Sequence, residues 1–378
     1  MNMMEKKTNA SGRLRIVNVV GARPNFIKIA ALMAEYKKHP EIDSVLVHTG
    51  QHYDVKMSQS LFEQLQIPDP DINLEVGGGS HAVQTAEVMK RFEPVVLKYE
   101  ADVVLVVGDV NSTLACALVA AKLGIKVAHV EAGLRSFDRT MPEEINRLLT
   151  DRISDYLFVS EAAGLENLRN EGIPKENVFY VGNVMIDTLL RFRELAAKSD
   201  IHRRLSLDGA DYAVLTLHRP SSVDDPGAFR RILTALEAIQ RSMPIMFPVH
   251  PRTRQRIDSF NLGPRFASAP GIRLVEPIGY LDFMRLMADA RLVLSDSGGI
   301  QEETCVLGVP CITLRENTER PITVEVGTNT LVGTCPERIL SAFKQVLGNS
   351  QVMRRVPDLW DGHAAERIVR TLLELRRL

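Results

Sequence analysis

The chain has 378 residues, of which 45% are hydrophobic and 25% are charged, and its formal net charge at pH 7 is −1. That length allows two or three domains with cores of their own, and the balanced charge argues against a surface for nucleic acid. No apolar run reaches the roughly 18 residues of a membrane span, so we expect no membrane insertion. Residues 1–12 are polar and lack the apolar core of a signal peptide, and we expect them to form a disordered leader.

The four cysteines, Cys116, Cys305, Cys311 and Cys335, show no CxxC spacing. Three of them lie in apolar surroundings, which favours buried free thiols over zinc ligands or disulfides. No two histidines stand at i, i+4 and the acids are not clustered in sequence, so we expect no metal site. A reducing cytoplasm fits this composition.

The first half of the chain begins with alternating strand and helix patterns. RLRIVNVVG (Arg13 to Gly21) predicts a buried strand, followed by the loop GARPNF and the helix IKIAALMAEYKK. The strand DSVLVHTG comes next. Its loop QHYD opens a helix through LFEQLQI, and Pro68 and Pro70 end that pattern. A glycine run, residues 77–79, precedes the helix HAVQTAEVMKRFEPVVLKY.

A βαβ unit from Val103 to Arg147 lies at the centre of this half. Its strand patterns, VVLVV and KVAHV, are separated by an apolar helical run of about the length that one right-handed crossover requires. The strand YLFVS, the helix EAAGLENLRNEG, the strand ENVFYVG and a helix beginning at Asn183 follow. Such regular alternation predicts a doubly wound parallel sheet and therefore an α/β fold.

The chain turns polar from about Ala197 to Asp211, and we place a domain boundary there. A second series follows: YAVLTLH, AFRRILTALEAIQRS, IMFPVH, GIRLVEP, YLDFMRLMADA, RLVLSDSGG and PCITL. We therefore predict two Rossmann-like domains with parallel sheets, residues 13–200 and 201–362, and an interdomain cleft that favours a ligand. A final helix in residues 363–378 is expected to pack back on the first domain.

Each strand of the βαβ unit is followed by a carboxylate, Asp109 after VVLVVG and Glu131 after KVAHV, at the edge where open parallel sheets bind ligands. A third acid, Glu143, follows in the loop TMPEEINR. Neighbouring strands lie roughly 4.8 Å apart, so direct pairing places Asp109 and Glu131 in one crevice. Crowding like charges raises at least one pKa, which supplies an acid and a base. Alternatively, Asp109 caps the helix that starts near Asn111 and Glu131 pairs with Arg135.

The loop GARPNFIK places Arg23 and Lys28 around the N-terminus of the first helix, where free backbone N–H groups favour an anion such as phosphate. Alternatively, Lys28 is an ordinary solvated helix residue. The loop contains neither GxGxxG nor GxxxxGK[ST], so neither a dinucleotide nor a Walker-type site is indicated.

The stretch SDSGGIQEE puts Ser297, Gly298 and Gly299 where a strand becomes a helix. Small residues there let a diphosphate approach the N–H groups of the helix N-terminus. Glu302 or Glu303, one turn further on, could accept hydrogen bonds from ribose hydroxyls. The alternative is a plain capped turn.

Two histidines, His218 in LTLHRP and His250 in FPVHPR, end strand patterns, and Arg219 and Arg252 behind them suggest a donor-rich rim for phosphate oxygens. His129, inside an apolar strand, is expected to be a hydrogen-bonded core residue. Together these features predict a nucleoside diphosphate in the cleft, with carboxylates aimed at the group it carries. Either transfer or rearrangement of a sugar fits that description.

The motifs GARPNFIK, TGQH, VGDVNST, HVEAGLRS, MPEEINR, VGN, HR, PVHPR, SDSGGIQEE and TERP, in this order, resemble the non-hydrolysing UDP-N-acetylglucosamine 2-epimerases. The resemblance runs from about Leu14 to the C-terminus. It implies the two-domain GT-B architecture, a homodimer, and interconversion of UDP-N-acetylglucosamine and UDP-N-acetylmannosamine.

The same resemblance implies a mechanism that needs no cofactor. UDP leaves C1 as a base takes the C2 proton anti to it, giving 2-acetamidoglucal, and protonation from the other face with return of UDP gives the epimer. Asp109, Glu131 and Glu143 resemble the acid and base group, and Lys28 lies close to the reacting sugar. The candidate substrate-binding residues are Arg23, Arg135, His218, His250, Phe283 (through its backbone, to uracil), Ser297, Gly298, Gly299 and Glu303.

Two departures leave alternatives open. Family members activated by their own substrate show Gln-His-Arg followed by Gln or Glu, whereas Gln51 and His52 are followed here by Tyr53 and Asp54. A regulatory site is therefore not implied. RSFDRTMPEEINR also resembles the epimerases for UDP-2,3-diacetamido-2,3-dideoxyglucuronate, so that sugar is an alternative substrate. A GT-B glycosyltransferase that uses a UDP-sugar donor is the competing class.

Overall fold

The computed structural model describes residues 12–50, 61–348 and 355–376. The expected leader up to residue 11, and positions 51–54 on which the question of a regulatory site rests, lie outside these described residues. Each half of the described chain forms a parallel sheet with helices between its strands, which confirms the α/β fold class.

In the described part of the first half, the sheet has the order β3-β2-β1-β4-β5-β6-β7 with all neighbours parallel. Its strands are β1 (Leu14–Val20), β2 (Ile42–His48), β3 (Ile72–Asn73), β4 (Val103–Val107), β5 (Lys126–Ala132), β6 (Tyr156–Val159) and β7 (Val178–Tyr180). The longer helices are α1 (Arg23–Tyr36), α2 (His81–Lys98), α3 (Asn111–Lys122), α4 (Pro142–Ile153), α5 (Ala162–Asn170) and α6 (Val184–Ala196).

The second sheet has the order β10-β9-β8-β11-β12-β13, again with parallel neighbours. Its strands are β8 (Ala213–Thr216), β9 (Ile245–Pro248), β10 (Ile272–Val275), β11 (Leu292–Ser295), β12 (Cys311–Thr313) and β13 (Asn329–Leu331). The longer helices of this half are α7 (Pro226–Ile239), α8 (Pro251–Ser259), α9 (Tyr280–Ala288), α10 (Gly298–Leu307) and α11 (Pro336–Gly348), and α12 (Ala364–Leu375) ends the described chain.

Short helical segments complete the connections. They are a 3-10 turn at Lys175–Asn177 and helical turns at Ile201–Arg204, Pro220–Val223, Gly263–Ala267 and Ile322–Glu325, and residues 61–64 are also helical. Within the ranges that the structure describes, no helix is both long enough and apolar enough to cross a membrane.

Both sheets reverse their strand order at one point, and ligands of open parallel sheets bind there. In the first sheet the reversal lies between β1 and β4, and in the second it lies between β8 and β11. Helices cover both faces of each sheet, so the central strands carry long apolar stretches; β4, for example, is buried at every position. The strand ends beside the two reversal points are therefore where a ligand is expected.

Helices of different parts of the chain share one core. Ile368, Val369 and Leu372 of α12 are buried in the cluster that contains α1 and α6. Tyr280 and Met284 of α9 join the same cluster, so the second half packs directly on α6 of the first. The last helix thus lies on the first domain.

Two details of the elements differ from the sequence prediction. GARPNF is largely helical, since α1 begins at Arg23; Pro24 is tolerated in a first turn, and Asn25 Oδ1 accepts the backbone N–H groups of Gly21 and Ala22 at 3.1 and 3.0 Å. The edge strands β3 and β13 were not predicted, because two or three residues carry no readable periodicity.

Candidate active site

The edge of the first sheet is shaped by a bulge in β5. Val130 and Ala132 pair with consecutive residues of β6, so Glu131 between them is the extra residue, and its φ is +71°. A bulge re-aims a side chain, and a non-glycine residue at positive φ persists only where the surroundings hold it. The structure therefore holds Glu131 in a strained conformation at the end of β5, next to the reversal point of the first sheet.

Lys28 is the partner of Glu131. Lys28 Nζ bonds Glu131 Oε2, and each residue is only 4% exposed, so the alternatives of a solvated lysine and of a Glu131–Arg135 pair are both wrong. Gly108 allows this approach: its φ is +70°, and a Cβ there would lie 3.1 Å from Lys28 Nζ and 3.6 Å from Glu131 Oε2. Lys28 is thus a buried cation beside the end of β4.

Asp109 lies beside this pair and is held by Arg147. The distance from Arg147 Nη1 to Asp109 Oδ2 is 2.5 Å. Burial on its own raises the pKa of Asp109, but Arg147, Lys28 and Arg320 outweigh it and hold the pKa below its ordinary value. The capping alternative is wrong, because α3 has Val110 as its N-cap and no side-chain cap. Asp109 is therefore an ionised carboxylate.

Glu143 and Glu144 take different positions at the start of α4. Glu143 is half-buried and lies in the first helical turn, not in a loop. Glu144 points inward: its oxygens accept from the backbone of Ser136 and Phe137 at 2.9 and 3.0 Å and from Arg147 at 2.5 Å. Glu144 thereby fixes both the loop after β5 and the guanidinium that holds Asp109.

Arg320 of the second half reaches the carboxylates of the first. Its Nε lies 2.7 Å from Glu302 Oε1, and its Nη2 lies 3.9 Å from Glu131 Oε1. Asn183 of the first half donates to the same Glu302 oxygen at 2.9 Å. Burial raises the pKa of Glu302, and Arg320 opposes that shift. This contact joins the end of β5 in the first sheet to helix α10.

Glu303 lies one position further along α10 and is also buried. Tyr280 Oη donates to its Oε1 at 2.8 Å, and burial raises the pKa of Glu303 to about 7. Its carboxylate acts electrostatically on Arg23, whose pKa is lowered by desolvation and raised by Glu303. Arg23 at the start of α1 therefore lies near the second half, and its side chain remains open to solvent.

Two histidines meet at the reversal point of the second sheet. The ring centroids of His218 and His250 are 5.9 Å apart. Asp296 orients His218, since its Oδ1 lies 3.1 Å from Nδ1; burial raises the pKa of Asp296, but His218 brings it down to about 2. Burial and the charges of His218 and Arg23 lower the pKa of His250 to about 4. His250 is thus neutral at pH 7, and its Nδ1 accepts from Arg252 N at 3.2 Å.

The turn SDSGG begins α10 at this point, with Ser297 as N-cap and no side-chain cap bond. A Cβ on Gly298 would lie 2.6 Å from Arg320 Nη1, and one on Gly299 would lie 3.0 Å from Met185 Cε. Gly298 therefore leaves room for Arg320 within the second half and Gly299 for Met185 of the first, and both leave the helix N-terminus open.

Two candidate substrate-binding residues have their polar groups occupied. Arg135 is 3% exposed and donates to Asp151 and Glu171 at 2.7 and 2.8 Å, and to Leu134 O at 2.7 Å. That network fixes the turn after β5. The N–H of Phe283 donates to Gly279 O at 2.9 Å within α9, so any base contact from this backbone falls to its carbonyl.

The proposed arginine rim is not formed. Arg252 pairs with Asp224 at 2.6 Å and Arg219 contacts Glu319 at 3.3 Å. His129 is a core residue as predicted, with Nδ1 2.6 Å from Asp151 Oδ1. Among the described residues no cluster of three or more His, Cys, Asp or Glu fits a metal ion, and the cysteines are free.

Sequence reasoning overlooked three organising residues: Arg147, Arg320 and Asp296. All three stand inside or beside motifs, MPEEINR, TERP and SDSGG, to which other roles were given. The signal for Asp296 was a carboxylate directly after a buried strand, the same signal that singled out Asp109. The contacts that bring the two arginines to the site, with Asp109 and Glu131, are with residues far away in sequence, so no local pattern marks them.

Comparison with known proteins agrees with this geometry. The family model described as UDP-N-acetylglucosamine 2-epimerase matches residues 34–373. The UDP-N-acetylglucosamine 2-epimerase of Methanocaldococcus jannaschii is 44% identical over 365 residues, which are 95% of this chain and 99% of that protein. The UDP-2,3-diacetamido-2,3-dideoxy-D-glucuronate 2-epimerase of Pseudomonas aeruginosa is 41% identical over 341 residues, 89% and 93% of the two chains.

Solved structures extend the agreement to three dimensions. The M. jannaschii UDP-GlcNAc 2-epimerase in complex with UDP-GlcNAc and UDP has a TM-score of 0.89 at 44% identity, covering 96% of this chain and 100% of that one. The Neisseria meningitidis enzyme bound to UDP-GlcNAc has a TM-score of 0.87 at 31% identity, with coverage of 96% and 100%. The two-domain GT-B architecture is confirmed, and the chain belongs to the UDP-N-acetylglucosamine 2-epimerase family.

Proposed function

We propose that this enzyme inverts C2 of a UDP-N-acetylhexosamine, interconverting UDP-N-acetylglucosamine and UDP-N-acetylmannosamine by elimination and return of UDP. The observation that carries the proposal is the division of the site. Asp109 and Glu131 lie at the ends of β4 and β5, beside the reversal point of the first sheet, and His218 and the open N-terminus of α10 lie at the reversal point of the second sheet. A diphosphate needs hydrogen-bond donors and positive charge around it, whereas proton transfer at the sugar needs carboxylates. The two sheet edges supply these two environments.

The chemistry explains why carboxylates are required. The C2 proton is not next to a carbonyl, so its direct removal gives an unstabilised carbanion. If UDP leaves C1 as the C2–H bond breaks, the electron pair forms the C1–C2 double bond of 2-acetamidoglucal, and UDP carries away the negative charge. Protonation of C2 on the other face and attack of a UDP oxygen on C1 complete the epimerisation.

The environments support distinct roles for the acids. Asp109, kept ionised by Arg147, suits a proton acceptor. Glu131, bonded to Lys28, is proposed to exchange a proton with the sugar. Glu143, half-buried at the start of α4, is the remaining candidate of the acid and base group.

The phosphates are assigned to the other wall. Arg23, His218 and the N–H groups after Ser297 supply donors for the diphosphate, and His250 supplies a neutral one through Nε2. Glu303, which follows the buried Glu302 in α10, is assigned to the ribose hydroxyls. Phe283 is assigned to uracil through its carbonyl.

The second candidate substrate is UDP-2,3-diacetamido-2,3-dideoxyglucuronate. It is favoured by the P. aeruginosa relative and by the loop RSFDRTMPEEINR, which Glu144 fixes through Ser136 and Phe137. Offering both UDP sugars to the purified enzyme and comparing kcat/KM decides between them. The proposal includes a homodimer acting in the cytoplasm, and sedimentation of the purified protein tests the dimer.

Turnover in D2O tests the reaction class. The proposed enzyme incorporates deuterium at C2 of recovered UDP sugar, and it does so with EDTA present and without NAD. A glycosyltransferase leaves the C2 proton in place, and a UDP-sugar sensor gives no exchange at all. NMR of the anomeric signals follows epimer formation, and NMR of the C2 signal follows deuterium incorporation. If C2 exchanges with neither of the two UDP sugars, the proposal is rejected.

A further inference from the structure

A third carboxylate follows the strand next to β5. Glu161 lies two residues after β6, so acids follow three neighbouring strands, β4, β5 and β6. Glu161 is 0% exposed, and no side chain of a described residue donates a hydrogen bond to its carboxylate; the backbone amide of Ile322 is the donor that acts on it. One backbone amide compensates a buried ionised carboxylate poorly, so this residue needs an explanation.

The groups that face Glu161 come mostly from the second half of the chain. Arg320, Glu302 and Glu325 act on it electrostatically from that half, and Tyr180 of β7 lies within range from its own sheet. Only Arg320 among these is a cation. Its guanidinium is already shared among Glu302 at 2.7 Å, Glu319 at 3.5 Å and Glu131 at 3.9 Å.

Charge arithmetic favours a neutral Glu161. Glu131 and Glu302 are matched by Lys28 and Arg320, so a third ionised acid has no remaining cation beside it. An ionised Glu161 would compete for Arg320 and draw it from Glu131, the acid that touches the sugar in the proposed reaction. Arg320 already contacts the buried carboxylates of Glu302, Glu319 and Glu131, so an ionised Glu161 would be a fourth acid on a single guanidinium.

We propose that Glu161 is a positioning residue that stays neutral at the domain contact and thereby leaves Arg320 to hold Glu131 and Glu302. This inference rests on the proposed epimerase function, in which Glu131 handles a proton. It assigns to Glu161 no contact with substrate. The active geometry then exists only while Glu161 carries its proton.

The protonation of Glu161 has an independent electrostatic basis. Burial raises the pKa of Glu161 to about 8; Arg320 opposes that shift, Glu302 and Glu325 add to it, and the backbone amide of Ile322 has a smaller opposing effect. Glu161 is therefore mostly protonated at pH 7 and loses its proton in mildly alkaline solution. Turnover should fall as the pH rises through this range.

The first test compares pH profiles of kcat for wild type, Glu161→Gln and Glu325→Gln. Wild type is expected to lose activity as the pH rises through about 8, whereas Glu161→Gln, neutral at every pH, keeps its pH 7 activity there. Glu325 is an exposed neighbour whose charge adds to the pKa of Glu161, so Glu325→Gln should keep the alkaline decline and move it slightly to lower pH. Glu303 also titrates, near pH 7, but it does so in all three proteins and cancels in the comparison.

The second test needs no turnover, so it separates failure of this inference from failure of the proposed function. A group whose pKa is raised on folding, here from 4.5 to about 8, contributes stability that is present below pH 4.5 and is lost as the pH rises to 8. The melting temperature of wild type should fall more over that interval than that of Glu161→Gln.

Each result decides the question. A shared alkaline decline in wild type and Glu161→Gln, or equal pH dependence of their melting temperatures, overturns the inference. So does a Glu325→Gln profile that matches Glu161→Gln. If Glu161→Gln folds poorly, Glu161→Met, which is neutral and similar in length, replaces it in both measurements.

Discussion

Asp109 and Glu131 carry the same functional group into different surroundings. Asp109 faces a guanidinium that is itself fixed by Glu144, and its pKa is held below the ordinary value. Glu131 faces an ammonium on one side and the guanidinium of Arg320 on the other. The protein thus distinguishes two carboxylates by the cations it places beside them.

This difference yields a prediction for single variants. Asp109→Asn, Glu131→Gln and Glu143→Gln should each reduce turnover and C2 deuterium exchange by about 10²-fold or more, the typical scale of general acid and base catalysis. UDP affinity should change little, because the diphosphate is assigned to other residues. Near-normal exchange in any one variant shows that this acid is structural.

Calorimetry with UDP tests the residues that we assign to the diphosphate. Arg23→Ala should weaken UDP binding by roughly tenfold to a hundredfold, the value of one charge-assisted hydrogen bond. Arg252→Ala is the matched control, since Arg252 is committed to Asp224 at 2.6 Å and should leave affinity unchanged. Equal losses in both variants contradict the assignment of the diphosphate to Arg23.

For single residues, the sequence predicts well which side chains lie at the site. It predicts less well which groups they contact. Asp109, Glu131 and Lys28 are brought together as a strand-end rule requires, because parallel strands direct their carboxyl ends to one edge. Arg320 was not singled out because no local pattern marks its contacts with Glu302 and, in the other domain, with Glu131. Arg135 was a substrate candidate by the resemblance, whereas Asp151 and Glu171 occupy its donors.

Among the elements, β5 and the turn that follows it determine the site. The turn packs on α5: a Cβ on Gly133 would lie 2.5 Å from Gly164 O, and the φ of Gly133 is +82°. Asp151 accepts from Gly133 N at 3.0 Å, so Arg135, His129 and this turn share one buried carboxylate. The bulge at Glu131 is therefore braced from the following turn.

Gly133→Ala tests this bracing. Gly124 has a similar φ, +71°, but a Cβ there would meet nothing within 4 Å, so Gly124→Ala measures the backbone conformation alone. We expect that control to cost roughly 1–2 kcal/mol of unfolding free energy, and Gly133→Ala to cost clearly more because backbone atoms must move. Urea denaturation monitored by circular dichroism measures both, and equal losses exclude a packing role for Gly133.

Elements with long periodic patterns were predicted well, and irregular ones were not. β4, α3 and α7 follow from uninterrupted apolar runs or clear helical spacing. The bulge in β5 was invisible, because KVAHVEA reads as a regular strand and only pairing with β6 reveals the extra residue. The missed strand β13 pairs through three residues that are not all apolar.

For the whole molecule, α12 brings the end of the described chain back to the first domain, where it packs on α1 and α6. Leu372 is 2% exposed among residues of α1 and α6. Leu372→Ala should lower the free energy of unfolding by about 2–5 kcal/mol, the usual cost of a core cavity. Arg370→Ala, on the exposed face of the same helix, is the control and should cost little.

Urea denaturation of both variants measures the free energy of unfolding, and the turnover of each variant at pH 7 shows whether the fold of the site is retained. If Leu372→Ala is as stable as Arg370→Ala, the last helix contributes no core and can be removed. If it is destabilised as expected, the final residues are an integral part of the first domain.

Because α12 returns to the first domain, both the first and the last described elements of the chain lie on that domain, and the second is a loop of the first in topological terms. The polypeptide crosses between them twice, before β8 and again after α11. The second domain is therefore tethered to the first at both of its ends, and a single cut in either connection would leave the two domains covalently joined.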